Sequence, residues 1–163
     1  MSVDVDQVRA FLRYDGADND EALTIMLGAA VSWVERHTGI LMTAREVFQE
    51  NALGPPSSLR WGPYHAGTLS IEYLDASLSP VTFTGFVALP SGRVFPTASW
   101  PRSLAITLTY TAGVIDPADV PESMIHAVCV YCSLGDQTRG EISEAGWTTL
   151  RNVLGDLWRP VVS

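Results

Sequence analysis

The chain has 163 residues, 47% of them hydrophobic and 17% charged. That is enough for one domain, or one domain with an inserted subdomain, and it needs no disulfide or metal to hold its core. Its net charge is −8 and every Lys/Arg position is Arg. This balance excludes a protein that grips DNA phosphates through a basic patch, although an acidic wall would let a duplex slide past. Arg without Lys suits fork-shaped interface contacts, or follows from compositional bias.

The first stretch, MSVDVDQ, is acidic and polar where a secretory leader needs a basic flank and an apolar core, and no run approaches the roughly 18 apolar residues of a membrane span. The chain is therefore expected to be made in the cytoplasm, with Cys129 and Cys132 reduced. A first helix is expected from Asp4 to Arg13, with Asp4 and Gln7 as a capping box and Val8, Phe11 and Leu12 on its apolar face. After a turn from Tyr14 to Asp18, a second helix runs from Asn19 to Thr38, with Asp18 and Glu21 as a second capping pattern. Leu23, Leu27, Ala30, Val31 and Val34 form its buried stripe, and Gly39 ends it.

From Thr43 to Gly113 the period changes. Thr68–Leu74, Val81–Phe86 and Ser103–Thr111 alternate as strands, and Ser91-Gly92 reads as a hairpin turn between Phe86–Leu89 and Arg93–Phe95. Pro55-Pro56, Gly62-Pro63 and Trp100-Pro101 belong on edges or in loops. Asp116-Pro117 and Val120-Pro121 then open a third helix. It runs to about Leu134 with Ile125, Val128, Cys129 and Cys132 on one side. Gly135 to Gly140 reads as a loop. A fourth helix runs from Ser143 to Leu157, with Leu150, Val153, Leu154, Leu157 and Trp158 as its apolar set.

Neither helix pair can bury its apolar faces alone. The expected fold is therefore α+β: a bundle of about four helices, two N-terminal and two C-terminal, with a small antiparallel β subdomain inserted. The boundaries fall at 1–42, 43–115 and 116–163, the last packing with the first as one helical domain.

No catalytic residue, metal ligand set or cofactor motif emerges. Cys129 and Cys132 have C-x-x-C spacing, but they lie inside a helix rather than at its N-terminus, where the dipole would lower a thiol pKa. His126 is near them in sequence, yet no second cluster completes a zinc site, and His37 and His65 stand apart. The acids between Asp4 and Glu21 lack the spacing of a calcium loop. There is neither a nucleophile elbow nor a phosphate-binding glycine loop. Trp158 and Arg159, of the residue types enriched at interface hot spots, stand near the C-terminus before two valines. Trp158 either packs on its own fourth helix or anchors the tail in a partner, and the weight falls on the partner.

Several stretches together resemble the head–tail connector (adaptor) family of tailed phages, which gene transfer agents share. They are Asp6–Arg13, Asn19–Leu23, Ala29–Gly39, Ser70–Asp75, Leu108–Gly113, Asp119–Pro121 and the closing Leu154–Arg159. One departure is that relatives often hold a Tyr and an Arg close together after the third helix, whereas Tyr131 and Arg139 stand well apart. The resemblance implies packed helices with a β insertion, no enzymatic activity and no cofactor. It implies a neck protein of a virion or phage-like particle, forming a ring, commonly of twelve copies, below the portal protein. Such a ring extends the DNA channel without sequence-specific binding, receives a head-closure (stopper) or tail protein, and touches no membrane. It further implies portal attachment through the C-terminal segment, here Leu157, Trp158, Arg159, Val161 and Val162. A closed ring needs two different matching faces. The first helix with an exposed Trp33 is expected on one and the β insertion on the other. Competing readings are a tail-terminator or head-closure protein, a small thiol redox enzyme using Cys129 and Cys132, and a small-molecule module in the β insertion.

Overall fold

The computed structural model describes residues 3–16, 19–51, 56–103, 105–138 and 141–159. The chain divides into two compact units, one formed by Met1–Met42 with Asp116–Ser163 and the other by Thr43–Ile115. The first is helical and the second is built of antiparallel strands, so the observed class is α+β, as the sequence pattern predicts.

In the helical unit, α1 (Val5–Leu12) begins at the expected capping box. The Gln7 backbone N–H donates to the Asp4 carboxylate at 2.8 Å, and the Asp4 N–H donates to the Gln7 side chain at 3.1 Å. Of its apolar face only Val8 is buried, while Phe11 is exposed and lies edge-on to His126. Helix α2 (Asp20–Thr38) buries Leu23, Leu27, Ala30 and Val34, with Val31 half-buried. The Arg9 guanidinium joins the two helices, donating to Asp20 through Nε at 3.1 Å and to Asp6 at 2.6 Å. The second capping pattern rests on Asp18, which lies outside the described residues, and Asn19 holds the cap position without a side-chain bond. Past Gly39, the buried Glu35 carboxylate accepts the Met42 N–H at 2.9 Å and fixes the chain as it leaves α2.

Helix α3 spans Glu122–Gln137, three residues beyond the expected end at Leu134. Gly135 does not stop it: it is buried within the helix, where an added side-chain atom would meet Met26 at no closer than 3.4 Å. Tyr14 ties the α1–α2 turn to this extra turn by donating its hydroxyl proton to Asp136 at 2.6 Å. Helix α4 (Glu144–Leu154) is capped by Ser143 and ends at Gly155, after which a single 3-10 turn, Gly155–Leu157, replaces the predicted continuation to Leu157. Gly146 sits where α4 crosses α3. A side chain there would come within 2.8 Å of Ile142 and 3.2 Å of Leu134.

The β unit holds a four-stranded sheet in the order β1-β6-β2-β3 and a separate two-stranded hairpin, β4–β5. The strands are β1 Arg45–Asn51, β2 Ser70–Leu74, β3 Pro80–Thr82, β4 Phe86–Ala88, β5 Val94–Pro96 and β6 Ile106–Ala112. Central β6 alternates fully, with Ile106, Leu108, Tyr110 and Ala112 turned into the core. Its partner β1, paired along seven residues, is missing from the predicted strands: only Val47 is buried, Phe48 is 71% exposed, and the rest is polar. The expected strand Val81–Phe86 is two strands. Proline opens the edge strand at Pro80, and the chain leaves that edge through Phe83 and Gly85 to start the hairpin. Predicted strand ends at Thr68 and Ser103 are instead side-chain extensions of the sheet. Thr68 Oγ1 accepts the Thr111 N–H at 3.0 Å, and Ser103 Oγ donates to the Leu74 or Ala105 carbonyl. The Ser91-Gly92 turn forms as expected, with Gly92 at φ 78°.

Candidate functional site

Three helices of the helical unit converge their aromatic residues on one place. Trp33 and His37 stand one turn apart on α2, Tyr131 projects from α3, Trp147 and Arg151 stand one turn apart on α4, and Trp158 follows the last 3-10 turn. Trp33 is the hub, with ring centroids 4.3 Å from His37, 5.4 Å from Trp147, 5.7 Å from Trp158 and 5.8 Å from Tyr131. Trp158 lies stacked on His37 at 4.5 Å with planes 18° apart, and the Arg151 guanidinium sits 5.4 Å from the Trp158 ring centroid. Offset stacking and cation–π contacts each add about 1 kcal/mol to what area burial contributes.

Hydrogen bonds set the orientation. His37 Nδ1 donates to the Trp33 carbonyl at 2.8 Å, which fixes the imidazole plane against the helix. The Arg159 N–H donates to the His37 carbonyl at 2.6 Å, so an orphan acceptor at the C-terminal end of α2 is paired by the backbone just after Trp158. Trp33, His37, Trp147 and Trp158 remain half-buried and, with Arg151, line an open groove of about 260 Å³. Among the described residues, the groove offers aromatic faces and a cation, and no nucleophile or acid–base pair. Its chemistry is that of holding an apolar or aromatic side chain.

Of the residues predicted for attachment, Leu157 is half-buried, Trp158 is half-buried within this cluster and Arg159 is exposed beside it, while Val161 and Val162 lie outside the described residues. Trp158 has a seat on its own chain, against α2 as well as α4. Trp33, expected as an exposed ring contact, is half-buried among four other aromatic groups. The cluster was not read as a unit from the sequence. The available signal was a repeated aromatic-x-x-x-base spacing, Trp33/His37 and Trp147/Arg151, which places each base on its aromatic neighbour's face of the helix.

The other candidates are structural. Cys129 and Cys132 are buried, and removal from water pushes both thiols up, Cys132 to about 12. A thiolate is the reactive form, so neither is an attacking group near neutral pH. Tyr131 sits inside α3 in the aromatic cluster, and Arg139 lies outside the described residues. His65 Nε2 bonds the Gly113 carbonyl at 2.7 Å within the β unit. Among the described residues, no group of three or more His, Cys, Asp or Glu is placed to hold a metal ion, and no helix is long and apolar enough to cross a membrane.

No family model and no curated protein matches this sequence. Solved structures do. A chain in the neck of an empty gene transfer agent (GTA) particle, computed with C6 symmetry, superposes with a TM-score of 0.74 at 16% identity over 99% of this chain and 92% of that chain. A chain in the virion of a native GTA particle gives 0.72 at 20% identity over 99% and 91%. A chain in the neck of a native GTA particle, computed with C12 symmetry, gives 0.68 at 19% identity over 95% and 90%. These are particles of the kind to which the sequence stretches are similar, and the fold of this chain is the fold of those particle chains.

Proposed function

We propose that this chain is a structural ring subunit in the neck of a gene transfer agent or phage-like particle, the head–tail adaptor that docks on the portal protein. The observation that carries the reading is a likeness of fold over 99% of this chain and 92% of a GTA neck chain. A shared fold does not by itself transfer a role. Here it joins a sequence resemblance read independently, and a site suited to docking rather than chemistry. The adaptor ring extends the DNA channel and receives the next head-closure or tail protein. The helical unit carries 14 Asp and Glu against 6 Arg, whereas the β unit carries 4 against 4, so the whole charge of −8 falls on the helices. A helical surface of that sign lets DNA pass without holding it. The tail from Leu157 to Val162 attaches to the portal, with Trp158 and Arg159 presented from the aromatic cluster.

The test is to mix the purified chain with portal rings from its own genome and image the product by electron microscopy. A ring of added density beneath the portal is the expected result. Intact portals that gain no density would count against the adaptor role.

A further inference from the structure

The β4–β5 hairpin turns an unexpected face outward. Phe86 and Val94 face inward, with Phe86 stacked near Phe83. On the opposite face Val87 pairs directly with Phe95, and Leu89 and Arg93 follow at the same alternation. Val87, Leu89 and Phe95 are 51%, 41% and 42% exposed. An antiparallel hairpin with one covered face normally shows water a polar one. This one shows three large apolar side chains and a single cation, the exposed Arg93, whose guanidinium lies 5.4 Å from the Phe95 ring centroid. Phe and Arg are residue types enriched in the buried part of protein interfaces.

The charge distribution selects the occupant. The hairpin belongs to the neutral β unit, and the helical unit carries all of the net negative charge. Of the helical unit's exposed large apolar side chains, Phe11 at 45% and Ile25 at 71%, the more exposed is Ile25 on α2, with the exposed Glu21 one turn before it. Helix against helix in two copies would set acidic surface on acidic surface. Hairpin against α2 sets an apolar face with a cation on an exposed Ile25 with an anion one turn away. It also supplies the two different surfaces that a closing ring requires.

We propose that the outward face of the β4–β5 hairpin docks on α2 of a second copy of this chain, with Phe95 and Leu89 against Ile25, and Arg93 paired with Glu21. This rests on the ring reading above and names the surfaces that would build the ring.

The test uses full chains assembled on portal rings. Chains bearing Ile25→Cys are mixed with chains bearing Phe95→Cys, then oxidised briefly. The native thiols are buried and do not compete. The expected result is a covalent 25–95 dimer in the mixture, with little dimer from either variant alone. In parallel, Arg93→Glu and Glu21→Arg should each weaken self-association about tenfold, and the chain carrying both should recover to within about threefold, since the swap restores the pair. Rings that form without the 25–95 cross-link, or a double swap no better than the single ones, overturn this interface and leave the ring reading standing. Wild-type chains that never associate with one another, free or on portals, overturn both.

Discussion

Trp158 lies face to face with His37, ring centroids 4.5 Å apart, while the next residue's N–H closes on the His37 carbonyl at 2.6 Å. The end of the described chain is therefore clamped twice onto the last turn of α2, once by stacking and once by a backbone bond. A Trp158→Ala change removes the stack, the Trp33 contact and the Arg151 cation–π contact together. A fully buried Trp typically loses about 3–5 kcal/mol on truncation, and a half-buried one about 2 kcal/mol. Urea unfolding should show that loss, and Trp158→Phe should recover more than half of it.

Deleting Trp158 to Ser163 separates anchoring from attachment. The clamp is peripheral to the core formed by Leu27, Val34, Met124, Val128 and Leu150, all nearly or completely buried. The truncated chain should therefore keep its circular dichroism spectrum, with a stability loss close to that of Trp158→Ala, and should bind portals much less well than the full chain. Undiminished portal binding by the truncated chain would move the attachment surface elsewhere.

The buried thiols give a pH dependence with a definite sign. The Cys132 thiol titrates near 9 when exposed and at about 12 when folded, because burial and the neighbouring Cys129 both disfavour its thiolate. A raised folded value means the folded state holds its proton more tightly. The resulting stabilisation is fully present below pH 9 and is lost as pH climbs towards 12. The stability gap between wild type and Cys132→Ala, measured by denaturant titration, should be constant below pH 8 and shrink steadily above pH 9. In the native state neither thiol should react with a charged disulfide reagent at pH 8, and both should react on unfolding.

The parts of this fold legible in the sequence were those where one force dominates. Asp4 with Gln7, Gly39 after His37 and the alternating Ile106–Ala112 strand each announce themselves through a cap, a left-handed turn or a burial period. Strand β1 was silent because an edge strand with one buried residue, Val47, has too little apolar alternation to be seen. Its place is fixed by seven pairings with β6, which are contacts distant in sequence. Gly135 misled for a related reason. A helix-breaking propensity of about 1 kcal/mol yields where the helix is buried against its neighbours, as Gly135 is. The aromatic site was half legible: Trp158 stood out by position, whereas its seat on Trp33 and His37, more than a hundred residues earlier, exists only once α2 and α4 have both packed on α3.

Gly113 and Gly16 test how much of a glycine's role is conformational. Both have positive φ, 118° and 87°. Nothing lies within 4 Å of a side chain added at Gly16, so Gly16→Ala should cost about 1 kcal/mol of backbone strain. At Gly113 the added atom would sit 2.4 Å from the Thr43 carbonyl oxygen, where the strand-ending segment crosses the entry to β1. That neighbour is backbone and cannot swing aside. Gly113→Ala should cost about 3 kcal/mol or more and disrupt the His65 bond to the Gly113 carbonyl. Thermal melts of the two variants should differ accordingly, and similar melts would mean that the Thr43 segment relaxes freely.

Gly28 and Gly146 make the same comparison inside helices, with opposite signs. Each weakens its helix by about 1 kcal/mol relative to Ala. Gly28 is exposed on α2 with no atom within 4 Å of an added side chain, so Gly28→Ala should stabilise the free chain by about that amount. Gly146 is buried at the α3–α4 crossing, where the new atom would meet Ile142 at 2.8 Å and Leu134 at 3.2 Å. The two contacts are side chains, so they can shift, but only if Leu134 on α3 and Ile142 just before the α4 cap give way or leave their rotamers, at about 1–3 kcal/mol. Gly146→Ala should therefore lower the melting temperature despite its better helix propensity. Ile142→Ala removes the obstructing Cγ2, so it should cost less in the Gly146→Ala chain than in the wild type, and a fully additive double variant would show that this contact is not where the cost arises.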